Sequence, residues 1–102
     1  MINDISYVGV SLPPADSLTE DAFEPVQGIT KRKVHVSWKE INQDETSLIS
    51  STIEGNRTGI LAYTHNDRAV DFEAYTIHGV KIQYIRYEPR TNSNVTATFV
   101  ER

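Results

Sequence analysis

Apolar and polar residues alternate along several segments of the chain, which is the pattern of half-buried β-strands. Residues 33–39 place Val34, Val36 and Trp38 on one face and polar side chains on the other, so Trp38 is predicted to lie in the core. Residues 58–64 and 95–100 are further predicted strands. The pattern predicts an all-β fold, a small antiparallel sandwich or partly open barrel of five or six strands. The inward residues of the last strand are Val95, Ala97 and Phe99.

Residues 69–77 and 80–88 predict a β-hairpin joined by His78-Gly79, because glycine is favoured at the second position of a two-residue turn. The register of such a hairpin places Asp71 opposite Arg86. Its apolar residues change face midway, which a flat sheet with one wet face cannot accommodate. A bulge or bend is therefore predicted. The residues near this bend are Glu73, Ala74, Gln83 and Tyr84.

Residues 46–53 fit either a strand or one short helical turn. The segment is rich in Ser, Thr and Ile, which are weak helix formers, so a strand is favoured. The four residues before it are polar and predict a turn. These turn residues are Asn42, Gln43, Asp44 and Glu45.

The first 30 residues differ from the rest in charge and proline content. They hold five acidic residues and no basic one, and residues 11–28 contain three of the four prolines. Proline restricts itself and its predecessor to extended backbone. We predict an irregular N-terminal arm over residues 1–30 and a β body over residues 31–102. Two placements of the arm stay open: against the body's own surface, or docked on a neighbouring molecule.

The composition narrows the classes of function. The chain has no cysteine, which removes disulfides, thiolate nucleophiles and cysteine-bound zinc. Its N-terminus lacks the basic start and apolar run of a signal peptide, and no segment reaches the ~20 apolar residues of a membrane span. We therefore expect a protein that is cytoplasmic or assembled into a particle, is not secreted through a signal peptide and has no membrane partner.

The candidate catalytic residues do not form a specific motif. The three histidines fall on a strand, in a loop and in a predicted turn, so they share no face that would collect the ligands of a metal. Asp71 and Glu73 point to the same side of one strand, but an ion pair with Arg86 explains Asp71 without catalysis. No serine-nucleophile or phosphate-loop motif is present. We expect no enzymatic activity, no cofactor and no metal.

The basic triplet Lys31-Arg32-Lys33 lies near aromatic residues and suggests nucleic-acid binding. A sequence pI near 5.2 argues against it, because counterion release drives such binding. The triplet is instead expected to contact acidic residues of the arm, either its own or a neighbour's.

We expect a non-enzymatic structural or assembly protein that acts through protein–protein contacts and forms a homo-oligomer. A connector or completion subunit of a virus or phage particle fits this format. The alternative is a small module that binds a glycan or other small ligand through Tyr63, Tyr75 or Tyr84. The predicted interface residues are Tyr7, Leu12, Phe23, Lys31, Arg32, Lys33, Arg86, Tyr87 and Arg90.

Overall fold

A computed structural model describes residues 4–87 and 90–102, without the side chains of residues 23, 25, 78, 86, 87, 90 and 91. The described elements are β1 (Ser6–Tyr7), β2 (Val10–Ser11), β3 (Ser17–Val26), β4 (Ile29–Ile41), α1 (Gln43–Glu54), β5 (Thr58–His65), β6 (Arg68–Tyr87) and β7 (Arg90–Glu101). The strands form one antiparallel sheet in the order β2-β1-β5-β6-β7-β4-β3, which is not closed. The all-β prediction is confirmed, except that seven strands are described rather than five or six, and one helix is added.

Two short hairpins are set by turns with left-handed backbone at both central residues. Val8 and Gly9 have φ angles of 49° and 77°, and Asn66 and Asp67 have 52° and 61°. Positive φ at both positions is the property of a type I′ turn, whose twist matches that of the flanking strands. The two-residue hairpin in the middle of the chain is therefore made by Asn66-Asp67, between β5 and β6.

The predicted hairpin around His78-Gly79 is wrong, because β6 runs through these residues without reversing. The register of β6 against β7 shifts between Ile77 and Val80. His78 and Gly79 therefore form a bulge, and Gly79 adopts the positive φ of 64° that this position requires. The irregularity that was expected near Glu73 and Gln83 thus falls at residues 78–79, and β6 is still paired with β7 at Tyr87 and Arg90.

The arm is not irregular from Ser17 onward. Strand β3 pairs with β4 from Ser17 to Phe23 and again where Val26 lies opposite Ile29. The extended backbone that proline imposes also suits a strand at the edge of a sheet, where a missing N–H costs no ladder hydrogen bond. The predicted boundary at residue 30 falls inside β4.

The predicted strand at residues 46–53 is wrong, since these residues belong to α1. Its N-terminus is a capping box: the Asn42 side chain accepts from the Glu45 N–H at 2.8 Å, and the Glu45 carboxylate accepts from the Asn42 N–H at 3.3 Å. This cap satisfies backbone donors that would otherwise be orphaned. The helix buries one stripe, so packing and capping outweigh the weak intrinsic propensity. The buried stripe is Thr46, Ile49, Thr52 and Ile53.

One hydrophobic core lies on the inner face of the sheet and against α1. Trp38 is fully buried, and its indole N–H donates to the Pro13 carbonyl at 2.8 Å. The rings of Tyr7 and Phe99 lie 5.1 Å apart, so the sheet curls enough to bring β1 against β7. The inward positions predicted for two strands are confirmed, namely Val34, Val36, Trp38, Val95, Ala97 and Phe99. In the described part of the chain, no helix has the length and apolar content needed to cross a membrane.

Candidate protein interface

A polar cluster joins β3 and β4 to β5 across the inner face. The Tyr63 hydroxyl donates to the Glu20 carboxylate at 2.8 Å. Arg32 Nε lies 3.5 Å from the same carboxylate oxygen, and His65 Nε2 lies 3.6 Å from the other. We call these four residues the Glu20 cluster. The contact between Arg32 and Glu20 is of the kind expected between the basic triplet and the acidic N-terminal residues of its own chain.

The Glu20 cluster stands on an aromatic base. The Arg32 guanidinium carbon lies 5.4 Å from the centre of the Phe72 ring, within cation–π range. Phe72 meets Tyr63 edge to face at 6.3 Å. Burial, and then the hydrogen bond to Glu20, raise the pKa of Tyr63 above its usual value of 10.0. Tyr63 is therefore protonated and donates a hydrogen bond. Through Glu20, these contacts hold β3 and β4 against β5.

The histidines do not converge on a metal site. His35 lies on the outer face, with Nε2 3.3 Å from the Asp21 carboxylate and Nδ1 3.1 Å from the Thr98 hydroxyl. His65 belongs to the Glu20 cluster, and the side chain of His78 is outside the described residues. Among the described residues no three His, Asp or Glu side chains are grouped as metal ligands would be.

The two β6 carboxylates considered as a catalytic pair, Asp71 and Glu73, have different neighbours from those predicted. Asp71 lies opposite Ala62 of β5, so the predicted cross-strand pairing with Arg86 is wrong. Glu73 accepts a hydrogen bond from Arg102 at 2.8 Å. Both members of that ion pair are more than half exposed, where such a pair contributes little to stability.

The three tyrosines of the ligand-binding alternative do not form a row. Tyr63 is buried in the Glu20 cluster. Tyr75 is half-buried and lies opposite Val100, whereas Tyr84 lies opposite Ser93. Because Val100 and Ser93 are seven residues apart on β7, the two tyrosines point to opposite faces of the sheet. Tyr84 is 65% exposed.

The structure separates the predicted interface residues into three groups. Tyr7 and Leu12 are buried in the core, where a partner cannot reach them. The basic triplet lies on β4 next to the edge strand β3, with Arg32 exposed and Lys31 and Lys33 half-buried. The third group lies outside the described side chains and consists of Phe23, Arg86, Tyr87 and Arg90.

An unpaired strand edge is the feature that sequence reasoning missed. The pairing of β5 with β6 ends at Tyr75, whereas β7 accompanies β6 up to Tyr87. Within the described residues, positions 80–87 therefore have a neighbouring strand on one side only. We call these eight residues the β6 edge. Its signal in the sequence is the stretch VKIQYIRY, which contains no proline and no acidic residue. The predicted hairpin had already paired this stretch with residues 69–77.

Two hairpins extend toward opposite ends of the sheet and expose apolar side chains. At the tip of the β3–β4 hairpin, Val26 is 59% and Ile29 is 49% exposed. Tyr84 lies three residues before Tyr87, whose pairing with Arg90 is the last that is described between β6 and β7. Lys33, close to the β3–β4 tip, pairs with Val100 near the C-terminal end of β7. Ser93, close to the other end of β7, pairs with Tyr84. The exposed residues of the two hairpins therefore lie at opposite ends of the sheet. The molecule is accordingly elongated, 51 × 28 × 21 Å.

No protein-family model matches this chain, and no curated protein matches it either.

Proposed function

We propose that this is a non-enzymatic structural protein that assembles through protein–protein contacts, with other copies of itself as partners. Its curled sheet serves as a partly open barrel from which the two hairpins extend. The observation that carries the proposal is the exposure of Val26, Ile29 and Tyr84 on these hairpins. Single exposed apolar residues are ordinary on a protein surface. A two-stranded hairpin is marginally stable alone, however, so apolar side chains at its tip favour a covering partner.

The polar residues support a structural role over catalysis. Glu20, Tyr63, Arg32 and His65 bind one another, and His35 is held between Asp21 and Thr98. Each of these groups has at least one polar partner within the molecule. A catalytic acid or base needs a side chain that can reach a substrate proton, and these side chains are instead held by one another.

The specific form of the proposal is a connector or completion subunit of a virus or phage particle. Small size and the absence of cysteine support it. This support is an analogy with the general type of protein and rests on no specific site.

Light scattering coupled to size-exclusion chromatography, over a concentration series, tests the proposal. We expect the full chain to form a defined oligomer, and we expect the double variant Val26→Ser and Ile29→Ser to shift it toward monomer. Ile60→Ser is the matched control, because Ile60 is similarly exposed, at 51%, but lies on β5. A full chain that stays monomeric at every concentration contradicts self-assembly.

A second candidate function is the binding of a small polar ligand such as a sugar, away from the tyrosines. A groove of about 250 Å³ crosses four strands of the outer face, and five of its eleven lining residues carry a hydroxyl group. Hydroxyl rows of this kind can hydrogen-bond a sugar. Chemical-shift changes on titration with monosaccharides, absent in Thr96→Val, would support this function. The polar groups of the groove are Ser17, Thr19, His35, Ser37, Lys81, Thr96 and Thr98.

A further inference from the structure

The sheet has two long edges that no described strand covers, and they complement each other. We infer that copies of this chain associate side by side, with the β6 edge of one copy pairing with strand β3 of the next. The inference rests on the proposed function and specifies its partner, a second copy, and the surfaces that meet. Strand β3 is the last strand in the sheet order, and the β6 edge lies three strands away from it.

The β6 edge has fewer of the devices that keep strand edges from pairing than strand β3 has. Exposed edges are usually guarded by proline, by charges or by being short, because their free N–H and C=O groups are templates for another strand. Strand β3 has such guards, Pro25 and three carboxylates. The β6 edge is eight residues long, has no proline and holds only two charged residues, Lys81 and Arg86. A long edge with few guards is open to pairing, and the carboxylates of β3 restrict its own pairing to a strand that carries positive charge.

The charges of the two edges are opposite. The β6 edge contains Lys81 and Arg86 and no acidic residue, and β3 contains three acidic residues and no basic one. An antiparallel register with Lys81 opposite Asp21 sets residues 80–85 of the β6 edge against residues 22–17 of β3.

The side chains of Lys81 and Asp21 lie on the same face of the sheet, as this register requires. Lys81 is opposite Thr96, which is opposite Ser37. Asp21 is opposite Lys33, four residues from Ser37 and therefore on the same face. Lys81 and Asp21 are both exposed.

The direction of the strands selects one mode of association. Along the order β6-β7-β4-β3 each strand is antiparallel to the next, so β6 and β3 run in opposite directions. A second copy in the same orientation places its β3 antiparallel to the β6 edge and continues the sheet. This contact is heterologous and generates a ring or a filament. Pairing two β6 edges about a two-fold axis would instead bring like charges together.

Charge reversal and charge exchange test the inference. We expect Lys81→Glu and Asp21→Lys each to weaken self-association by roughly tenfold, because each replaces a cross-strand attraction with a repulsion. The double variant carries both changes in one chain, so every interface regains an opposite pair and self-association recovers. Arg57→Glu is the matched control, since Arg57 is exposed and lies outside both edges. Circular dichroism of each variant verifies that the fold is retained.

The outcomes separate this inference from the proposed function. Loss in both single variants with recovery in the double variant supports the pairing of the β6 edge with β3. An oligomer that all three variants leave unchanged overturns this pairing and leaves self-assembly standing. A dimer that Lys81→Glu strengthens overturns it in favour of two β6 edges meeting. A wild-type chain that is monomeric at every concentration overturns both.

Discussion

Val8 shows how one residue position constrains another at the scale of single side chains. Its φ of 49° is unusual for a β-branched residue, whose side chain crowds the backbone there. The Val8 side chain packs against the core and occupies the space beside Gly59, where an added Cβ would overlap Val8 Cγ1. Glycine at position 59 therefore makes room for the strained turn between β1 and β2.

Gly59→Ala is expected to destabilise the protein by about 1 to 3 kcal/mol, because the new methyl group cannot fit beside Val8. Urea denaturation measures this loss. The same substitution made together with Val8→Gly should cost less, since the obstructing side chain is gone. An equal cost in both backgrounds would show that another neighbour is responsible.

The two buried tyrosines predict how stability depends on pH. Burial raises the pKa of Tyr7, and burial with the Glu20 hydrogen bond raises that of Tyr63. Above the ordinary tyrosine value of 10.0, the unfolded chain loses these protons before the folded one does. The free energy of unfolding is therefore expected to fall as the pH rises beyond that value, and to be unaffected by these groups below it.

Tyr63→Phe tests the tyrosine contribution. It removes the titrating hydroxyl, so the decline of stability at alkaline pH should become shallower than in wild type. Urea midpoints from pH 8 to 11 measure the slope. A slope that does not change would mean that Tyr63 ionises equally easily in both states.

At the scale of elements, α1 depends on its cap more than on its composition. Its sequence is QDETSLISSTIE, with a hydrophobic stripe of only moderate strength. The reciprocal contacts of Asn42 and Glu45 define where it begins. The segment Asn42-Gln43-Asp44-Glu45 also fits a simple turn, because Asn and Asp are common both in turns and at helix N-termini.

Asn42→Ala is expected to lower stability by about 1 kcal/mol, because it removes the acceptor of the Glu45 N–H. Gln43→Ala is the matched control, an exposed neighbour inside the first turn. The helical circular-dichroism signal and the urea midpoint measure the effect. Equal stability of the two variants would show that the cap contributes nothing.

At the scale of the whole molecule, the N-terminal residues belong to the core. Among the described residues 4–18, five apolar side chains belong to the hydrophobic core, and their removal would expose the inner face of the sheet. A chain that starts at Ile29 is therefore expected to lose cooperative unfolding. These five are Ile5, Tyr7, Leu12, Ala15 and Leu18.

Thermal unfolding followed by circular dichroism measures this loss. The full-length double variant Val26→Ser and Ile29→Ser should keep a cooperative transition, because both side chains are exposed. Cooperative unfolding of the shortened chain would instead show that residues 29–102 fold alone.

The candidate interface was only partly accessible to sequence reasoning. The basic and acidic segments were evident, and Arg32 does meet Glu20 within the chain. The β6 edge was not evident, because Gly79 with φ of 64° serves a bulge as well as it serves a turn. Tyr7 resembled a surface residue because two-residue strands such as β1 carry too short a pattern to mark a buried position.

The sequence alone determined the inward faces of β4 and β7 and the extended backbone of most of the chain. These properties are local, since alternation with a period of two and the restrictions of proline act within a few residues. Only the tertiary structure decided that β3 joins the sheet, that β6 continues through Gly79, and which edges stay unpaired. Strand partners lie far apart along the chain, and all strands compete for the same edges. No local pattern therefore specifies which strands pair.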